Sequence, residues 1–241
     1  MKNVFYLSLI FWLLTGCNSQ TGELDGIFSV SDTLKIKFSK GNLQYNPKDG
    51  TFKFADNQWD LLTVNNNKLS EKPFDLFAWG ENWGENSDWR TMTSMEWDYL
   101  FFKRSGALKL FSYAEVCGVK GLVLLPDNFQ QPAEIVFKIF NADELSVFNR
   151  GVMFKNSAAD IFKKNVYSDK EWEKMQNSGA VFLPLSGKVF EGFNYSQEEG
   201  AYWTPSPEGL YVAINRKYLS AVWGCQKEHF RYAVRLVKNV K

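Results

Sequence analysis

His229 is the one histidine of the chain, and Cys17, Cys117 and Cys225 are its three cysteines. Nucleophilic catalysis with a general base and multi-histidine metal binding both need imidazoles that titrate near neutral pH, so the chain offers little material for either. A zinc site built from Cys117, Cys225 and His229 would have three ligands but neither tight spacing nor a clear fourth. Glu198 and Glu199 are adjacent carboxylates inside Ser196-Gln197-Glu198-Glu199-Gly200, a composition that reads as a solvated turn rather than an acid–base pair. The stretch 79–89 sets Glu81, Glu85 and Asp88 among tryptophans and glycines and could cradle a hard cation. The favoured reading is a glycine-rich loop whose tryptophans plug the core. No catalytic residue, metal or cofactor is expected.

Binding is the better-supported chemistry. Nine tryptophans, ten tyrosines and 21 phenylalanines exceed what one core of this size needs, so some rings should reach the surface. An exposed ring covers an apolar face of a sugar or peptide while neighbouring amides fix its polar groups. Asn194, Tyr195, Tyr202, Trp203, Tyr218 and Trp223, all in the C-terminal half, are the candidate ligand contacts. Lys and Arg total 28 against 27 Asp and Glu, with no long run of one sign, so the electrostatic footprint of a nucleic-acid binder is missing.

Residues 1–16 read as a signal peptide: one positive charge at Lys2, then an apolar stretch from Val4 to Leu14 too short to span a bilayer comfortably. Leu14-Thr15-Gly16-Cys17 resembles the bacterial lipobox, in which the cysteine is acylated and becomes the first mature residue. Residues 17–25 would then form a lipidated polar tether, and more than one acyl chain on Cys17 would hold the protein firmly on a membrane. Asn18 after that cysteine fits transport to an outer membrane, with the periplasmic or outer face left open. With Cys17 lipidated, Cys117 and Cys225 remain, and the compartment allows a disulfide between them; the alternative is two free, mostly buried thiols.

The elements that must carry these residues are legible from periodicity. Leu34, Ile36 and Phe38 alternate with polar neighbours, and residues 42–46 and 51–55 flank Asn46-Pro47-Lys48-Asp49-Gly50 as a hairpin. Thr93-Ser94-Met95-Glu96 and Ser168-Asp169-Lys170-Glu171 are capping boxes that open two short helices, the first burying Trp97, Leu100 and Phe101, the second Trp172 and Met175. Apolar runs at 121–125 and 180–183, each followed by proline, read as buried strands. Further strands are expected at 210–214, 218–222 and 230–237. Residues 130–165 have the weakest periodicity and read as an insertion. The order of elements favours an α+β domain.

Trp89-Arg90-Thr91-Met92-Thr93-Ser94-Met95-Glu96-Trp97-Asp98-Tyr99 resembles the helix-opening stretch of formylglycine-generating-enzyme-like domains, although the proline expected before that threonine is absent. Tyr232-Ala233-Val234-Arg235-Leu236-Val237 is similar to the strand that closes them. Segments 38–45, 75–80, 179–187 and 201–206 resemble a large group of secreted lipoproteins of gut bacteria. The resemblance implies a C-type-lectin-like fold over residues 26–241, α+β, with two short helices and twisted antiparallel sheets. The related enzymes use a pair of reactive cysteines in the C-terminal part, where this chain has only Cys225, and the calcium motifs of sugar-binding lectins are missing. The expectation is therefore a lipid-anchored envelope protein that recognises a glycan or protein. Its rivals are a structural subunit of an envelope assembly such as a pilus tip, and an enzyme of altered chemistry around Cys225 and His229.

Overall fold

The computed structural model describes residues 22–62, 72–81, 83, 88–155, 160–191, 193–195 and 198–240, with backbone alone at 193–195. The expected signal peptide, the lipobox-like motif and Cys17 lie outside these residues. In chain order the strands are β1 (Phe28–Ser29), β2 (Lys35–Phe38), β3 (Leu43–Asn46), β4 (Thr51–Phe54), β5 (Leu76–Ala78), β6 (Phe111–Val116), β7 (Val119–Leu124), β8 (Leu145–Phe148) and β9 (Gly151–Phe154). They continue as β10 (Val166–Tyr167), β11 (Val181–Pro184), β12 (Lys188–Phe190), β13 (Phe193–Tyr195), β14 (Glu199–Trp203), β15 (Leu210–Asn215), β16 (Tyr218–Gly224), β17 (Phe230–Ala233) and β18 (Val237–Asn239). Two short helices, α1 (Ser94–Asp98) and α2 (Asp169–Asn177), complete an α+β fold dominated by strands. Among the described residues, no helix is long and apolar enough to cross a membrane.

Both helices begin where their capping boxes place them. The Thr93 hydroxyl accepts the Glu96 N–H while the Glu96 carboxylate reaches back to the Thr93 N–H at 2.8 Å, and Ser168 and Glu171 repeat the arrangement. Each reciprocal pair satisfies backbone donors that a helix start leaves orphaned. α1 runs on into a π-helical turn, Tyr99–Lys103, so Trp97, Leu100 and Phe101 all enter the core while Met95 faces solvent. α2 buries Trp172 and Met175 and ends at Gly179, whose φ of 89° is left-handed. A side chain on neighbouring Gly26 would put its Cβ 2.1 Å from the Gly179 carbonyl oxygen, so glycine there lets the N-terminal segment cross the helix end.

The largest sheet has nine strands, in the order β13-β12-β17-β14-β15-β16-β9-β8, with β5 pairing β17. A four-stranded sheet (β10-β6-β7-β11), a three-stranded one (β1-β2-β18) and the β3–β4 hairpin stand beside it. Most pairings are antiparallel; β10 with β6 and β14 with β17 are parallel, a mixture that the alternation pattern alone does not reveal. Tyr202, Val212, Ile214 and Leu219 face the main core beneath the large sheet, whereas Trp203, Tyr211, Ala213 and Tyr232 face a second cluster on the opposite side. The centre of the sheet is therefore covered on both faces, which fixes the fate of the aromatics in β14.

Three boundaries differ from the sequence expectation. Leu24 is buried in the main core and its N–H donates to Phe38, while Glu23 pairs with Lys37 at 3.3 Å, so the folded domain takes in the end of the expected tether. Within 130–165 the described residues contribute to the domain: β8 and β9 extend the large sheet, and Phe140, Val152, Phe154 and Phe162 pack in its core. The expected strand 230–237 is two strands in two sheets, because Arg235 turns inward between them and donates to Asn42 Oδ1 at 3.3 Å and Gln58 Oε1 at 3.0 Å.

Candidate ligand-binding site

Of the six candidate contacts, Tyr202 and Trp203 are core residues, 0% and 1% exposed. The Tyr202 hydroxyl donates to the Pro184 carbonyl at 2.8 Å, and burial pushes its phenol well above the usual range. The Trp203 indole N–H donates to the Phe77 carbonyl at 2.7 Å, with its ring stacked on Trp83 and tilted against Tyr232. Neither side chain reaches a surface, and both are withdrawn as ligand contacts. Alternation along β14 would expose one of two adjacent residues on a one-sided sheet; this strand is covered on both sides. Asn194 and Tyr195 lie in the sheet-edge strand β13, opposite Val189 and Lys188, and their side chains fall outside the described part of the molecule.

Tyr218 and Trp223 come together at the surface. Their rings stack with centroids 4.8 Å apart and planes 10° from parallel, Trp223 being 40% exposed and Tyr218 half-buried. In a regular strand, residues an odd number apart point to opposite faces. Here the register shifts between Tyr211 and Ala213: Tyr211 faces Trp223, but Ala213 faces Ser220, so β16 carries one extra residue. The bulge re-phases the strand and brings Trp223 round to the face of Tyr218.

The surroundings of this pair were not legible in the sequence. Met153 of β9 lies directly opposite Tyr218 and is 53% exposed, which extends the apolar shelf across the strand pair. Lys188 and Glu199 form an ion pair at 3.0 Å within electrostatic reach of Tyr218, whose phenol is pushed up by burial and then by the Glu199 charge. A stacked ring pair with a donor and an acceptor nearby can present its outer ring face to an apolar ligand face and hold polar groups at its rim. Nothing in the arrangement activates a nucleophile.

Cys117 and Cys225 are both free, so the disulfide considered from the sequence is not formed. Cys117 sits exposed in the turn between β6 and β7, while half-buried Cys225 donates its thiol to the Gly209 carbonyl at 3.4 Å. Burial raises both thiols above their ordinary value, the opposite of what a reactive thiolate needs. His229 is 3.2 Å from Glu191. In the oxygen-rich loop, Trp83 and Trp89 are buried and Glu81 pairs with Arg231 at 3.0 Å; residues 82 and 84–87 lie outside the described residues. Comparison of the chain with protein-family models, with curated proteins and with solved structures found no match.

Proposed function

We propose that the chain is a lipid-anchored protein of the bacterial outer membrane, whose α+β domain has a C-type-lectin-like fold and recognises a glycan or protein ligand without catalysing a reaction. The single observation that carries the binding reading is the stacked Tyr218–Trp223 pair, held at the surface by the β16 bulge beside exposed Met153. An exposed tryptophan next to other apolar groups lowers solubility unless a ligand covers it, and a bulge that re-aims one side chain is a common device at binding sites. The lipobox at Leu14–Cys17 supports the anchor, and the segments similar to secreted lipoproteins support the fold. The raised thiol of Cys225 argues against cysteine chemistry on this scaffold.

A second reading, a subunit of an envelope assembly, draws on the neighbouring sheet edge. Val147 and Phe148 of edge strand β8 are 63% and 37% exposed, and an exposed apolar edge is a template for pairing with another chain. One experiment separates the two. The mature chain with Cys17→Ala is applied to a broad glycan array and, in parallel, crosslinked to envelope extracts, with Trp223→Ala as the paired control. Glycan or protein capture that Trp223→Ala loses at unchanged melting temperature supports recognition through the shelf. Capture that survives Trp223→Ala and is lost in Val147→Lys supports assembly through β8.

A further inference from the structure

A second concavity lies away from the shelf, at the β3–β4 hairpin. The hairpin register sets Tyr45 opposite Phe52, and reciprocal backbone bonds of 2.9 and 3.0 Å tie Tyr45 to Phe74. Phe77 of β5 completes a closed circuit of four rings: Tyr45–Phe52 at 4.8 Å, Phe52–Phe77 at 6.4 Å, Phe77–Phe74 at 5.3 Å and Phe74–Tyr45 at 5.4 Å. Phe77 is buried, but the other three are only partly covered, and the circuit borders a cleft of about 410 Å³. That volume falls within the range of small-molecule sites, roughly 300–1,000 Å³. Gly50 is part of the lining, and Tyr45 Oη lies close to it.

One charged side chain enters the lining. The Glu81 carboxylate accepts the Ala78 N–H at 2.9 Å and is gripped by Arg231 at 3.0 and 3.3 Å, so its orientation is fixed from two sides. The pair is neutral in sum, yet each partner remains partly solvent-exposed, with 36% of the Glu81 and 29% of the Arg231 side chain accessible. An anionic ligand would meet the Glu81 charge, and a cationic one would have to compete with Arg231 for that carboxylate, so each would disturb an existing pair. A neutral hydroxyl both donates and accepts, and so can join the pair without breaking it. Aromatic rings beside C–H groups, with one carboxylate already neutralised by its pair with Arg231, match a saccharide with one apolar face and equatorial hydroxyls.

We propose that the Tyr45–Phe52–Phe74–Phe77 cleft, with the Arg231-paired carboxylate of Glu81 in its lining, binds a neutral mono- or disaccharide. The site is distinct from the Tyr218–Trp223 shelf and does not depend on it. The test is saturation-transfer NMR on the mature chain carrying Cys17→Ala, with maltose, lactose, cellobiose and N,N′-diacetylchitobiose as neutral probes and choline and glucuronate as charged ones. Transfer to the ring C–H protons of at least one neutral sugar is expected. Phe52→Leu keeps an apolar side chain but removes the ring, and should weaken that binding about tenfold, the weight of one aromatic contact. Glu81→Gln should weaken it without altering the melting temperature, and Trp223→Ala should leave it intact. No transfer to any neutral sugar, transfer unchanged by Phe52→Leu, or preference for a charged probe overturns the proposal. Binding lost in Trp223→Ala but kept in Phe52→Leu also overturns it, and assigns the sugar to the shelf instead.

Discussion

The indole of Trp203 and the carbonyl of Phe77 are joined by a 2.7 Å hydrogen bond across the face of β17, tying β14 to β5 beneath the second cluster. The bond is buried, so removing the donor deprives the Phe77 carbonyl of that partner where water cannot replace it. Trp203→Phe should cost about 1–3 kcal/mol through that lost bond, and Trp203→Ala about 3–5 kcal/mol through the bond and the cavity together. Urea unfolding of both variants measures this order. Equal midpoints for wild type and Trp203→Ala would show that the indole does not pack as described.

Glu96 joins the start of α1 to the C-terminal strand. Its carboxylate caps Thr93, takes two bonds from Arg90 at 2.9 and 2.7 Å, and through Arg90 is linked to Asn239 of β18. Burial raises the Glu96 carboxyl, but the Arg90 and Thr93 bonds outweigh it and hold the group below its ordinary value of 4.5. The folded value is thus the lower one, so the ionised group contributes stability above the ordinary value that is lost as pH falls through the folded value. Glu96→Gln should cost about 1–2 kcal/mol at pH 7. Guanidinium unfolding at pH 7 and pH 3 checks the sign, because the gap between wild type and Glu96→Gln should narrow in acid.

What the sequence disclosed was local, and what it hid was long-range. Thr93/Glu96 and Ser168/Glu171 could be read because both members of each pair lie within one helical turn. The 42–46/51–55 hairpin could be read because Pro47 and Gly50 mark its turn. Strand β6 could not: Phe111–Val116 is buried on nearly every residue, so alternation is absent. Arg235 gave no sign that it would turn inward, since Asn42 and Gln58, which receive it, are far away in the chain. The same limit governs the site. Aromatic excess pointed to surface rings, but whether Trp203 or Trp223 was exposed depended on which strand lay under a second layer. Tyr218 and Trp223 share a face only through a bulge that their spacing argues against. The Tyr45–Phe74 contact joins a hairpin to a segment beyond it, and no periodicity reports that pairing.

Cys117 shows how a residue set aside for covalent chemistry can serve the backbone instead. It and Gly118 form the two-residue link between β6 and β7, with φ of 49° and 81°. Positive φ at both central positions is the geometry of the hairpin turn that prefers Asn-Gly. Cys117→Asn should therefore stabilise the domain by roughly 0.5–1 kcal/mol. Because both described thiols are free, a reductant should leave the melting temperature of wild type unchanged. A rise in midpoint for Cys117→Asn supports the turn geometry, whereas a fall in wild-type melting temperature on reduction would reveal a disulfide.

Asp75 carries the opposite sign from Glu96. It is 1% exposed and accepts the Leu62 N–H at 2.9 Å, and burial pushes its carboxyl up to about 7 despite that bond. The folded state then binds a proton that the unfolded chain has released, so Asp75 lowers stability progressively as pH rises from its ordinary value of 3.8 towards about 7, with no further change above. Asp75→Asn keeps an acceptor for Leu62 and removes the ionisation. It should be more stable than wild type by a few kcal/mol at pH 8, because each tenfold difference in proton affinity between the folded and unfolded chain is worth ~1.4 kcal/mol, and close to wild type at pH 4. Paired urea titrations at the two pH values decide it: a difference that does not shrink in acid would mean that the gain comes from packing rather than from a buried charge.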